Sequence, residues 1–304
     1  MGNKKNVIPY IGLIVIVILF SALTRGRLLS VANLKLIFNQ TIVLMIGCIG
    51  VTFIMTLGSL DLSQGSLMGF CAAVGATVAA YSPNATFFTV IIVGAAIGCI
   101  HGLLHGYLKI PSFILTLCSL FILRGFTVVI TKSGSLPIPF SMYSYDSFSL
   151  KIVVLLIVFM VSVYLFNYTR FGKDLKAIGS GERAADYSGV PVKRMKMFAF
   201  IIAGLLCGVC SYLNVLRTGA ADSKTGLLFE IDILTALVVG GLPLTGGAKS
   251  KLRCAIIGAL VLTVLTNGMV LVGLKTELQQ AVKGIIFLLS VYLSFEKDNV
   301  LYVK

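Results

Sequence analysis

Charge is what this sequence has least of. Of its 304 residues only 12% are charged and 11 are acidic, while 58% are hydrophobic and the mean hydropathy is +1.01. That excludes a soluble domain, because a folded chain must cover itself with polar groups. Histidine is nearly missing as well: His101 and His105 in "HGLLH" stand at metal-ligand spacing without a nearby carboxylate, so no metal site is expected. No Ser/His/Asp or Cys/His set can be assembled, and the chain is not expected to be an enzyme. "GSGERA" (179–184) fits a dinucleotide pattern but follows no strand. "GLPLTGGAKS" (241–250) has one residue too many before its lysine to be a phosphate loop. The seven cysteines are scattered through apolar segments, where "CGVC" (207–210) reads as small residues packing in lipid rather than a redox pair.

What remains is a series of apolar runs, several of them about 18 residues or longer with almost no charge, the length that crosses a bilayer. They are continuously apolar rather than alternating, so the fold expected is all-α, a polytopic membrane protein and not a barrel. Spans are placed at about 7–23, 40–59, 64–81, 86–106, 112–131, 151–167, 197–216, 228–242, 252–272 and 277–295. The basic start and apolar run of the N-terminus resemble a signal peptide, but no convincing cleavage site follows, so a retained first helix is expected. The net charge of +14 fits positively charged cytoplasmic loops better than nucleic acid. With the N- and C-termini inside, fifteen Lys and Arg residues fall in inner segments and eight in outer ones, although Arg25 and Arg27 sit on the poorer side.

Three patterns organise the spans. Gly94, Gly98, Gly102 and Gly106 form a ladder on one helix face, the pattern that lets another backbone approach closely. "GSLDLSQG" (58–65) is echoed by "GGLPLTGG" (240–247), and "CAAVGA" (71–76) by "CAIIGA" (254–259). Internal repeats with broken helices near the midplane are a mark of transporter folds. Span parity makes this repeat parallel, and a re-entrant segment would make it inverted. Finally, Asp61 is the one charged residue between Gln40 and Tyr81. Asp61 and Ser63 are good N-cap residues for a helix starting near Gln64, and an acid at this depth must face protein or water. It either caps a broken helix or lines a polar path.

The segments "GSLDLSQGSLMGF", "IPSFILTLCSLFILRGFTVVIT", "TRFGKDLKAIGSGERAADYSGVPVKRMK", "FEIDILTALVVGGLPLTGGAKSKL" and "TNGMVLVGLKTELQQAVKGIIFLLSVYL" occur in order across nearly the whole chain. They resemble the permeases of ribose-type, ATP-binding-cassette sugar importers, a group that includes autoinducer and branched-chain amino-acid systems. The resemblance implies one permease domain over 1–304 in a bacterial cytoplasmic membrane, with a cytoplasmic coupling loop at 168–196. It implies a second permease copy or paralogue, cytosolic ATPase subunits that bind ATP and Mg, and an extracytoplasmic solute-binding protein. No cofactor is implied on this chain. The coupling helix would fall within Gly179 to Arg194, on Gly179, Gly181, Glu182, Arg183, Ala184, Ala185, Gly189 and Arg194. The chain departs from the group at Ser180–Gly181, where an Asn commonly follows the glycines, and at His101 and His105, where small or amide residues are usual.

A path for a neutral, polyhydroxylated monosaccharide would offer amides and hydroxyls, and Asp61, Ser63, Thr116, Asn214, Asn267 and Gln279 are the candidates. The same groups also bond helices to one another. The alternative function is an ion-coupled secondary transporter that uses Asp61, Glu230 and Asp232 as intramembrane carboxylates. A scaffold or channel subunit is a more distant third.

Overall fold

The computed structural model describes residues 8–294, and each apolar segment marked above contains a helix. In chain order these are α1 (Ile8–Leu23), α2 (Val31–Thr56), α3 (Gln64–Ala79), α4 (Pro83–Gly106), α5 (Ser112–Thr131), and α6 (Phe148–Val163) with a π-helical turn at Tyr164–Tyr168. Then come α7 (Arg170–Ser180), α8 (Glu182–Tyr187), α9 (Val192–Thr218), α10 (Phe229–Val239), α11 (Arg253–Leu271) and α12 (Thr276–Ser294). Two short antiparallel strands, β1 (Ser135–Pro137) and β2 (Ala220–Asp222), pair with Leu136 opposite Ala221. The all-α reading missed this ribbon, since three residues carry too little alternation to be legible. Lys4, Lys5, Lys297 and Lys304, which the charge count placed inside, lie outside the described residues.

Among the described residues six helices are long and apolar enough to cross a membrane: α2, α4, α5, α6 with its π turn, α9 and α11. The protein is therefore a multi-pass membrane protein. The larger count of about ten rests on shorter elements. α1 and α3 have 16 residues each, and α12 carries Glu277 and Lys283 within its 19. α10 has only 11, about 16 Å of helix against a hydrocarbon layer of about 30 Å. Two helices begin earlier than expected. α2 starts at Val31 because the Ser30 hydroxyl accepts from Asn33 N (3.4 Å), an N-cap. α9 starts at Val192, directly after Pro191, since Lys193, Arg194 and Lys196 are good helix formers whose long stems reach out of the apolar layer.

α2 and α9 form the buried centre, while α5 and α6 present mostly exposed apolar faces, the arrangement of a bundle solvated by lipid. The most intimate contact joins α4 to α9. A Cβ placed on Gly94, Gly98, Gly102 or Gly106 would run into the α9 backbone at Gly204, Phe200, Met197 and Lys193 respectively. Gly204 and Gly208 return the contact against Gly94 and Val90. With no hydrophobic drive between helices in lipid, the close fit of two backbones supplies the attraction.

Between α2 and α3 the chain leaves the helix. Asp61, only 2% exposed, clasps this break. Its Oδ1 accepts from Ser63 N (2.8 Å) and Ser63 Oγ (2.6 Å), and its Oδ2 accepts from Gln64 Nε2 (2.7 Å). Leu60 N and Leu62 N donate to Ser112 Oγ (3.2 Å) and Thr116 Oγ1 (3.1 Å) of α5. Ser63 occupies the N-cap position without a side-chain bond to the helix, so the expected capping is corrected: the carboxylate holds the turn ahead of α3 rather than the first helical turn. The second glycine-rich segment closes over the same place. Gly247 N donates to Thr56 O (2.9 Å), and Gly58 (φ 78°) lies against Thr245 O. Positive φ at Gly58, Gly246 and Gly247 is what permits this crossing.

Two outcomes follow for stability. Gly98→Leu should lower thermal stability in detergent by about 1–3 kcal/mol through forced separation of α4 and α9. Gly125→Ala, whose Cβ would meet nothing within 4 Å, should leave it unchanged or slightly raised. Asp61→Ala removes charge-assisted bonds worth about 1.5–3 kcal/mol each. It should reduce the yield of folded protein, while the solute affinity of the surviving fraction stays close to native in a binding assay.

Candidate functional site

The N-terminal ends of α3 and α10 meet inside the bundle. Gly65 is packed against the Glu230 carboxylate and Gly226 O, and Gly69 against Thr225 O. The irregular stretch that leads into α10 is held by Arg124 of α5, which donates to Thr225 O (2.7 Å), Gly226 O (3.3 Å) and Ser223 O (3.4 Å). Non-helical backbone at this depth is tolerated only where protein or a water-lined cavity satisfies it, and the guanidinium does so here. Only glycine at position 65 leaves room for Glu230, a residue just 6% exposed.

Beside this junction lies a cavity of about 270 Å³, close to the lower end of small-molecule sites at about 300 Å³. Its polar wall comprises Gln40, Asn214, Arg217, Asp232, Thr263 and Thr266. Its apolar wall includes Met68, Phe229 and Leu262. Arg217 Nη2 donates to Asn214 Oδ1 (3.0 Å), and Lys283 Nζ donates to Asp232 Oδ1 (2.8 Å) and Oδ2 (3.1 Å). The wall thus offers amides and hydroxyls, with both of its charged side chains already engaged, a surface suited to a polar, uncharged guest.

Of the path candidates, the structure brings Asn214 to this cavity and places the others elsewhere. Asp61, Ser63 and Thr116 belong to the helix break. Asn267 and Asn33 exchange amide hydrogen bonds (2.9 and 3.0 Å) between α11 and α2, and Gln279 Nε2 donates to Leu274 O (2.7 Å) at the α11–α12 turn. Thr116, Asn267 and Gln279 thus use polar groups to join elements, Thr116 at the helix break itself. Gln40, Arg217, Thr263 and Thr266 were not singled out. The i, i+3 spacing of Asn214 and Arg217, and of Thr263 and Thr266, is the signal that could have found them. His101 Nε2 contacts Ser119 Oγ (2.7 Å), while His105 contacts Ser59 Oγ (3.1 Å) and Ile110 O (2.8 Å), so both rings tie α4 to its neighbours.

The basic segment folds as α7, α8 and the start of α9. Glu182, Arg183, Ala184, Gly189 and Arg194 are exposed, and Tyr187 at the end of α8 is 91% exposed. α8 is anchored by Lys196 Nζ, which donates to both Glu182 carboxylate oxygens (2.8 Å each), and Gly189 (φ 85°) turns the chain into open space. Ala185 and Gly179 of this segment are packed against the rest of the protein. Ala185 is buried, and a Cβ on Gly179 would strike Thr56 O and Gly247 N. Ser180 Oγ accepts from Ala248 N (3.1 Å), so this end of α7 is fastened to the second glycine-rich segment. Gly181 is only partly exposed, at the junction of α7 and α8.

Residues 33–291 match the family model described as "Branched-chain amino acid transport system / permease component". The chain is 31% identical to the ribose import permease protein RbsC of Escherichia coli (strain K12), covering 95% of this chain and 93% of that protein. It is 30% identical to RbsC of Bacillus subtilis (strain 168), over 98% and 95%. It is 29% identical to the galactose/methyl galactoside import permease protein MglC of Haemophilus influenzae, over 99% and 96%. No solved structure matches. Breaks clasped inside a lipid-solvated bundle, a polar cavity beside them and a family match across most of the chain converge on one conclusion: the chain belongs to the family of branched-chain amino acid transport system permease components.

Proposed function

We propose that this chain is the permease subunit of an ATP-driven importer and forms the passage for a monosaccharide. The observation that carries the reading is the cavity at the meeting of two broken helices, walled by the amides and hydroxyls of Gln40, Asn214, Thr263 and Thr266, with Asp232 held by Lys283 and Arg217 by Asn214. A sugar is neutral and presents many hydroxyls, so such a wall can replace its water without demanding an ion. The relatives named for ribose and galactose support the same solute class. In this reading the solute arrives from an extracytoplasmic binding protein, ATP and Mg belong to partner ATPases, and a second permease copy or paralogue completes the passage. The basic face carrying α8 lies in the bacterial cytoplasm together with both termini.

Coupling then has a physical route. α8 offers Arg183, Ala184, Tyr187 and Gly189 to an ATPase groove, with Arg194 beside it. Its motion reaches α7 through Gly181, then the Thr56–Gly247 contact through Gly179 and Ser180, and so the break at Asp61. The residues that proved to be packed, Gly179 and Ala185, serve as the inner side of this lever. The ion-coupled alternative has less support, since Asp61 is spent on the break and Asp232 on Lys283.

Gly189→Arg should abolish uptake while membrane insertion persists, by blocking the ATPase contact. Gly189→Ala, which keeps the surface but costs about 1–2 kcal/mol of backbone strain, should retain measurable transport. Asn214→Ala should weaken solute handling about three- to tenfold in uptake KM, the worth of one hydrogen bond, with assembly intact. Uptake should stop on vanadate treatment and survive proton or sodium uncouplers while ATP is maintained; the reverse pattern would favour the ion-coupled reading.

A further inference from the structure

A second cavity, of about 560 Å³, opens on the face that carries α7, between the π-helical end of α6, α7 and the first turn of α11. Its floor is apolar, with Phe159 and Leu252, and its rim carries Lys176, Lys251 and Arg253. No acidic residue lines it. It shares no lining residue with the polar cavity above.

Three observations point to a missing anion. Ser250 lines the cavity, is 2% exposed, and its Oγ has no hydrogen-bond partner among the described residues. A buried hydroxyl left in this state is costly and is explained most simply by a ligand that it donates to. Lys176 Nζ finds only Phe166 O (3.5 Å) and the Phe166 ring (4.3 Å from its centroid), and burial lowers its pKa from the ordinary lysine value. An anion would restore what that ammonium lost on leaving water. The cavity also lies at the N-terminal end of α11, a 19-residue helix; Cys254 N and Ala255 N are spent on Lys251 O and Leu252 O (3.1 Å each), but the helix dipole still favours negative charge there.

The surroundings select the kind of anion. α6 forms one wall, and its Leu156, Ile157 and Met160 are about half exposed or more, on the side that faces lipid. A molecule with an acidic head and long apolar tails meets cations at the rim and a greasy wall beside it. Basic pockets between membrane helices bind phospholipid headgroups in this way. We propose that this cavity holds the phosphate of an anionic phospholipid from the adjoining leaflet, its acyl chains lying along α6. The lipid would brace α6, α7 and the 248–253 segment together, and this inference does not rest on the transport reading.

The full chain, purified from vesicles of equal phosphatidylcholine and phosphatidylglycerol, should retain phosphatidylglycerol preferentially in native mass spectrometry. Lys251→Glu, at an exposed position, and Lys176→Gln should each weaken retention about fivefold or more per charge removed, with melting temperature in neutral detergent confirming that both fold. Added inorganic phosphate should not displace the lipid. Equal retention of the two lipids, or unchanged retention in both variants, would overturn the proposal. Displacement by inorganic phosphate alone would instead make this a free-anion site. Loss of the lipid when a partner protein's acidic segment is added would make it a protein-docking site.

Discussion

In hydrocarbon no backbone N–H or C=O can be left without a partner, and the structure is organised around the places where this chain nonetheless leaves the helix. Two such places matter. The stretch between α2 and α3 is clasped by Asp61 and by hydroxyls of α5. The stretch before α10 is held by the Arg124 guanidinium. Each uses a charged group packed within protein, Asp61 buried and Arg124 partly so, to stabilise backbone that lipid could not. This accounts for an acid alone in about forty otherwise uncharged residues: without it Ser63 N, Ser63 Oγ and Gln64 Nε2 would lose their acceptor at the break.

Breaking helices inside a bundle has a functional consequence. Continuous helices bury their polar backbone and offer a solute only side chains. Interrupted ones bring helix N-termini, carbonyls and short polar residues to one level, and the cavity walled by Asn214, Arg217 and Asp232 opens at that level. The glycine seam of α4 and α9 supplies the counterpart, a contact so close that the two helices act as one body. Under the proposed function, a rigid pair beside a segmented region would serve alternating access, with the exposed α8 as the point where force enters.

The degree to which the site was legible differs residue by residue. Asn214 is the path candidate that reached the cavity; Arg217 lies one turn along the same helix, within reach of helical spacing, whereas Thr263 is on α11 and only packing brings it beside them. Thr116, Asn267 and Gln279 had the right chemistry for a path, but amides and hydroxyls in membranes bond whatever polar group is nearest, and here that is another helix or a turn carbonyl. Ala185 and Gly179 were named for the coupling segment through the family resemblance, which says nothing of the direction each one faces. Which side of a short helix packs inward depends on the partner that covers it, and nothing in "GSGERAADYSG" names α2 or Gly247 as that partner.

The sequence by itself determined the class of the molecule: apolar runs of membrane length, basic connecting segments, a glycine ladder and one isolated acid follow from local chemistry and can be read in order along the chain. Tertiary structure decided which of those features touch. The meeting of the two glycine-rich segments, the seating of Gly65 on Glu230 and the grip of Arg124 on residues about a hundred positions away all join distant stretches of chain. Their existence depends on how helix faces pack, and because lipid rewards every apolar face alike, no local pattern announces which faces will meet.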